Sequence, residues 1–76
     1  MNNDRRKELE RASALLDEAK GILETCASDE REYFDNMPES LQKGDKGQKA
    51  DETATALDDA VTSLEEVLNA LEEAAS

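Results

Sequence analysis

The chain has 76 residues and a formal net charge of −11, with a single cysteine, Cys26, and no histidine. This composition excludes an intramolecular disulfide and a Cys/His zinc site. A core of fewer than roughly 80 residues seldom supplies more than a few kcal/mol without such staples, so we expect helix association, and a homodimer in particular, to supplement it.

The first predicted helix covers about residues 4–36 and carries a heptad seam of apolar residues, interrupted at Glu30. The seam consists of Leu9, Ala12, Leu16, Ala19, Leu23, Cys26, Tyr33 and Met37. Leu15 and Ile22 widen the apolar stripe. Ser28 offers an alternative reading, in which it caps a fresh helix start. We expect Cys26 to be a small packed residue and not a nucleophile.

Residues 37–45 are predicted to form the connection, because Pro38 is the only proline and biases the preceding residue away from helical geometry. Pro38 can itself begin a single helical turn that ends at Gln42. Gly44 is expected to permit the chain reversal. Asp45, followed three residues later by Gln48, fits a capping box for the next helix.

The second predicted helix covers about residues 46–75 and carries the stronger seam: Ala50, Ala54, Leu57, Val61, Leu64, Leu68, Leu71 and Ala75. Two helices of similar length with a short connection predict an all-α, antiparallel two-helix hairpin with coiled-coil packing, forming one domain over residues 1–76. A third apolar row of Ala60, Val67 and Ala74 predicts that a second hairpin completes a four-helix bundle. Whether the two hairpins are parallel or antiparallel stays open.

The segment beside the turn holds both aromatic residues of the chain. They either cap the end of the bundle together with Met37 and Leu41, or expose a ring that anchors a partner protein. The candidate partner-binding residues are Tyr33, Phe34, Asp35, Asn36, Met37, Pro38 and Leu41. We refer to these seven residues as the turn segment.

The second predicted helix carries pairs of carboxylates at seven-residue spacing and no basic residue after Lys49. This acidic ladder consists of Asp51, Glu52, Asp58, Asp59, Glu65, Glu66, Glu72 and Glu73. Its residues are either the solvated positions of a heptad helix or a mimic of the phosphate spacing of DNA. A basic cluster of Arg5, Arg6, Lys7 and Arg11 begins the first helix and is expected to face the end of the second, or to form a separate binding patch.

The run from Tyr33 to Gln42, with the sequence YFDNMPESLQ, resembles a segment shared by small helical proteins of bacteriophages and other mobile elements. The likeness covers residues 24–73. That group has no established activity, so the resemblance implies a setting, the cytoplasm of a bacterial host, and a role directed at a host protein.

The expected function is protein binding without catalysis, since no nucleophile, acid–base pair, metal site or cofactor motif occurs in the sequence. The expected partners are a second copy of the chain and another protein, with a basic protein as one candidate. An acidic surface repels phosphates and anionic lipids, and no apolar run approaches the roughly 18 residues that span a bilayer. We therefore expect a cytoplasmic protein with no direct nucleic-acid or membrane binding.

Overall fold

The computed structural model describes residues 1–76 and contains three helices: α1 (Asn3–Asp35), α2 (Glu39–Gln42) and α3 (Asp45–Ala75). The long helices α1 and α3 pack against each other, which confirms the all-helical fold. They run in opposite directions, because Arg31 near the end of α1 pairs with Asp58 while Leu9 near its start lies beside Leu71. The hairpin measures 58 × 14 × 13 Å.

The ends of the helices follow from local chemistry. The side chain of Asn2 caps α1 by accepting a hydrogen bond of 2.8 Å from the backbone N–H of Arg5. Pro38 precedes the single turn of α2, as its fixed φ favours. The alternative helix start at Ser28 is absent, since α1 is continuous. The predicted capping box is also wrong: α3 begins at Asp45 itself, whose carboxylate then lies in the first turn.

The core is thin and lies nearer the turn than the open end. Its buried apolar residues are Ala27, Ala50, Ala54 and Val61. Leu9, Leu16, Leu23, Leu57, Leu64, Leu68 and Leu71 keep part of their surface exposed along the seam. Alanine at the most buried positions lets the two backbones approach closely, so little side-chain volume is enclosed.

The seam of α1 departs from the predicted heptad after Leu23. Ala27 is buried and Phe34 is half-buried, whereas Cys26 and Tyr33, the predicted seam residues, are exposed. Two successive four-residue steps, from Ala19 through Leu23 to Ala27, produce the change of phase. In a straight α-helix, a seam with a strict 3.5-residue repeat drifts by about 20° per heptad around the helix axis. The four-residue step from Leu23 to Ala27, where the heptad pattern has a three-residue step, turns the seam back towards α3.

A close contact between α2 and α3 fixes the turn. The side-chain amide of Gln42 donates a hydrogen bond of 3.0 Å to the backbone carbonyl of Phe34. A Cβ added to the buried Gly47 would come within 2.5 Å of the Gln42 Cα. Gln42 therefore joins the end of α1 to the start of α3, and only glycine fits at position 47.

Gly44 does not have the predicted role in the reversal. Its φ is −93°, which any residue adopts, and no residue of the chain has a positive φ. A Cβ at Gly44 would lie 3.7 Å from the carbonyl oxygens of Ser40 and Leu41, an ordinary van der Waals distance. The turn therefore requires glycine at position 47, where a side chain has no space. It does not require glycine at position 44, because any residue can adopt the backbone conformation there.

The hairpin exposes more surface than a compact protein of its size. Its solvent-accessible area is 5643 Å² at a mass of 8.4 kDa. A compact monomer of this mass would expose about 4,600 Å², so the surplus is about 1,000 Å². Only five of 76 residues are buried, so much apolar surface stays in contact with water.

Substitution of Gly47 by alanine should lower the free energy of unfolding by about 1–3 kcal/mol, because the added methyl group displaces α2 from α3. Urea denaturation followed by far-UV circular dichroism measures this change. Gly21→Ala is the matched control, since a Cβ there meets nothing within 4 Å in the exposed middle of α1. It should raise stability by about 0.5–1 kcal/mol, and equal effects of the two substitutions would contradict the close contact at Gly47.

Candidate functional site

The turn segment surrounds the closed end of the hairpin, and its hydrogen bonds hold it in place. Phe34 and Met37 are half-buried. The Phe34 carbonyl accepts hydrogen bonds from the Gln42 side chain, at 3.0 Å, and from the Met37 backbone N–H, at 3.1 Å. Asn36 forms the C-cap of α1. The segment is thus fixed by its own backbone contacts and not left as a loose loop.

The two aromatic residues have different environments. Phe34 is half-buried and lines a small cleft with Ala50 and Ala54, so it belongs to the cap over the end of the core. Tyr33 is 53% exposed and Leu41 is 46% exposed. Each predicted alternative therefore applies to different residues. Phe34 and Met37 match the cap over the bundle end, while Tyr33 and Leu41 have the exposure that an anchor for a partner needs.

The acidic ladder is exposed along its whole length and forms two rows. Asp51, Asp58, Glu65 and Glu72 follow one seven-residue repeat, and Glu52, Asp59, Glu66 and Glu73 follow another, one position on. Adjacent positions are about 100° apart around a helix, so the first row flanks the seam while the second lies on the outer surface.

A single ion pair joins the two long helices, between Arg31 and Asp58, and both side chains are about half exposed. The basic cluster of Arg5, Arg6, Lys7 and Arg11 lies at the open end with the last turns of α3, but none of the four forms an ion pair. The sequence analysis missed Arg31, because its heptad position shows no sign of a partner until the register of the hairpin is known.

The ion pair also defines the two sides of the hairpin. Arg31 and Asp58 lie on one flank of the seam, and helical periodicity places four other residues of α1 on the opposite flank. These are Leu15, Ile22, Cys26 and Tyr33. Leu15 and Ile22 are each 58% exposed. A row of large exposed side chains therefore follows α1 on the side away from its ion pair.

The same side of α3 carries a row of small, uncharged residues at three- and four-residue spacing. The row consists of Thr53, Ala56, Ala60, Ser63, Val67, Ala70 and Ala74. Val67, its largest member, is 43% exposed. We call this surface of both helices, the large row of α1 and the small row of α3, the side face.

The antiparallel register brings the two rows of the side face to the same levels. The open groove places Asp17 beside Leu68, and the cleft near the turn places Asp35 beside Ala50, so residues at one level have numbers that sum to about 85 and Ile22 is level with Ser63. By the same register Leu15 lies level with Ala70, and Tyr33 lies nearly level with Thr53. The side face thus carries apolar or small uncharged side chains at most of its positions, with Glu30 between Cys26 and Tyr33, and it is separate from both rows of the acidic ladder.

No group of three or more acidic or cysteine side chains is arranged so that it could hold a metal ion. None of the helices combines the length and the apolar character needed to cross a membrane. An open groove at the far end lies between Leu9, Leu68 and Leu71.

Comparisons with protein-family models, with curated proteins and with solved structures found no match to the chain. The resemblance to phage proteins therefore stays a prediction from the turn segment.

Phe34→Ala should lower the free energy of unfolding by about 2 kcal/mol, less than the roughly 3–5 kcal/mol of a fully buried ring. Tyr33→Ala should change it by less than about 1 kcal/mol, because that ring is exposed. Urea denaturation at a protein concentration low enough to keep the chain monomeric measures both. A larger loss for Tyr33 than for Phe34 would show that the assignment of the cap is wrong.

The Arg31–Asp58 pair should contribute less than about 1 kcal/mol, because water screens side chains that are half exposed. A double-mutant cycle with Arg31→Ala and Asp58→Ala measures the coupling between them. We expect this coupling to fall as sodium chloride is raised to about 0.5 M, where the Debye length is only a few ångström. A coupling that salt leaves unchanged would be inconsistent with an exposed pair.

Proposed function

We propose that the chain is a non-enzymatic protein–protein interaction module. In this proposal two hairpins associate into a four-helix bundle, and the dimer binds a further protein through the turn segment. The observation that supports it is the exposure of large apolar side chains on a hairpin that buries only five residues. Exposed apolar surface of this kind marks sites of association, because leaving it in water costs free energy.

The turn segment supports the second part of the proposal. It offers an aromatic ring and a leucine, Tyr33 and Leu41, on a backbone that hydrogen bonds already hold. Aromatic and apolar anchors dominate the energy of interfaces, and a fixed backbone lowers the entropy lost on binding. The resemblance to phage proteins suggests that this further protein is a bacterial host protein, and the charge of −11 favours one with a basic surface.

An acidic decoy is the second candidate function, in which the acidic ladder occupies the DNA groove of a nucleic-acid-binding protein. The observation that favours it is that the negative charges of the ladder are almost all without a positively charged partner. Of its eight carboxylates only Asp58 has an ion-pair partner. Like charges at this density repel one another, which lowers stability unless a basic partner neutralises them.

Immobilised protein used for affinity capture from a bacterial lysate tests both candidates. For the protein that it retains, we expect Leu41→Ala to weaken binding by about tenfold or more, as the loss of an anchor does. The double substitution Glu65→Gln with Glu66→Gln should change binding by less than about threefold, since it removes two ladder charges and no anchor.

Salt and DNA distinguish the second candidate from the first. Decoy binding should weaken steeply between about 50 and 200 mM salt and compete with duplex DNA. If Leu41→Ala does not weaken capture of the retained protein but neutralisation of the ladder carboxylates abolishes it, the second candidate function replaces the first. A lysate that yields no retained protein at all would contradict both.

A further inference from the structure

The side face has the shape of a surface that fits a copy of itself. Its α1 row presents Leu15, Ile22 and Tyr33, each more than half exposed, while most of its α3 row ends at Cβ or one atom beyond. Large side chains on one helix and small ones on the other are complementary. Closely packed interfaces need this alternation, because two rows of equal size leave voids or clash.

We propose that a second copy of this chain occupies the side face, with α1 of each copy lying on α3 of the other and both turns at the same end of the bundle. This assignment rests on the dimer of the proposed function and adds to it the face and the arrangement. It also divides the exposed apolar residues by role: Leu15, Ile22 and Tyr33 serve self-association, so Tyr33 is no longer an anchor for a further protein, and Leu41 at the turn is left for that role.

The arrangement follows from symmetry. A two-fold axis parallel to the long axis of the hairpin keeps each residue at its level and exchanges the two helices. Ile22 of one copy then lies over the small row of the other near Ser63, and Leu15 lies over it near Ala70. A two-fold axis across the hairpin would instead place the two large rows on each other and the two small rows on each other.

The size of the side face matches what a stable dimer buries. A surface 58 Å long and 14 Å wide has an area of about 800 Å², which is the usual contribution of each partner to a standard interface. The surplus surface of the hairpin, about 1,000 Å², is of the same size. Both quantities indicate one further layer of two helices on the side face.

The charges favour a second copy over a basic protein as the occupant. The small row from Thr53 to Ala74 contains no charged residue, whereas the acidic ladder lies on the ion-pair flank and the outer surface of α3. A basic protein would therefore be drawn to the ladder and not to the side face. Two copies, each at −11, repel one another outside the interface, so added salt should strengthen the dimer.

Sedimentation equilibrium over a range of concentrations tests the face. Leu15→Glu and Ile22→Glu should each raise the dimer dissociation constant by about 30-fold or more, as substitutions near an interface centre do. Leu41→Glu is the matched control, because it makes the same change at another exposed leucine outside the side face, and it should change the constant by less than about threefold. Far-UV circular dichroism checks that each variant keeps its helices.

The natural thiol gives a second measurement on the unaltered chain. Cys26 is exposed in the single hairpin and lies in the large row of the side face. Its reaction with a thiol reagent should slow at least about tenfold as the concentration passes the dissociation constant, since burial in the dimer removes access. A rate that does not depend on concentration overturns the assignment of the face.

A distance between two spin labels tests the arrangement. The label is attached at Ser40→Cys, in the exposed turn, with Cys26→Ser removing the natural thiol. Labels at the same end of a bundle two helices wide should be less than about 30 Å apart. Labels at opposite ends would be separated by nearly the length of the hairpin, 58 Å, and that result overturns the parallel arrangement.

The outcomes separate this inference from the proposed function. If the wild-type chain dimerises but Leu15→Glu, Ile22→Glu and Leu41→Glu have equal effects, the face is wrong and the dimer stands. If the wild-type chain is monomeric at about 0.5 mM, both the face and the dimer fail, because a standard interface binds far more tightly. Binding of a further protein is judged separately, by the effect of Leu41→Ala.

Discussion

The contact between the apolar seams of α1 and α3 supports everything else in this molecule, and that contact is narrow. Two helices can bury only one stripe of each other, and here the most buried positions are alanines. Small side chains allow close approach but contribute little transfer free energy, which scales with the apolar area removed from water. The hairpin therefore has a well-defined shape and a small reserve of stability.

This narrow contact explains why the surface is divided so sharply. One flank of the seam carries the Arg31–Asp58 pair and a row of carboxylates, while the other carries Leu15, Ile22 and Val67. In a monomer the large apolar side chains on this open flank stay in contact with water, and each of them costs free energy. The proposed dimer would cover this apolar flank and leave the charged flank in solvent.

The closed end is built differently from the long seam. Gly47, Gln42 and the Phe34 carbonyl hold three helices together within one short region, with a backbone contact that leaves no room for a side chain at Gly47. This rigid end presents Leu41 on its surface. The open end lacks such a closure, and its leucines border a groove. The closed end is thus held by more contacts than the open end, and the proposed function uses it for this reason.

The sequence alone determined that two long helices form, that the chain turns near Pro38, and that α3 is acidic, because heptad spacing, proline geometry and charge are local properties. It could not determine which residues enter the seam beyond Leu23, since helical phase drifts gradually and only the partner helix selects Ala27 over Cys26 and Phe34 over Tyr33. It assigned the turn to Gly44, because the need for Gly47 arises from a neighbouring backbone. Only the tertiary structure, through the ion pair of Arg31 with Asp58 on one flank, decided that the large row of α1 and the small row of α3 share the opposite face.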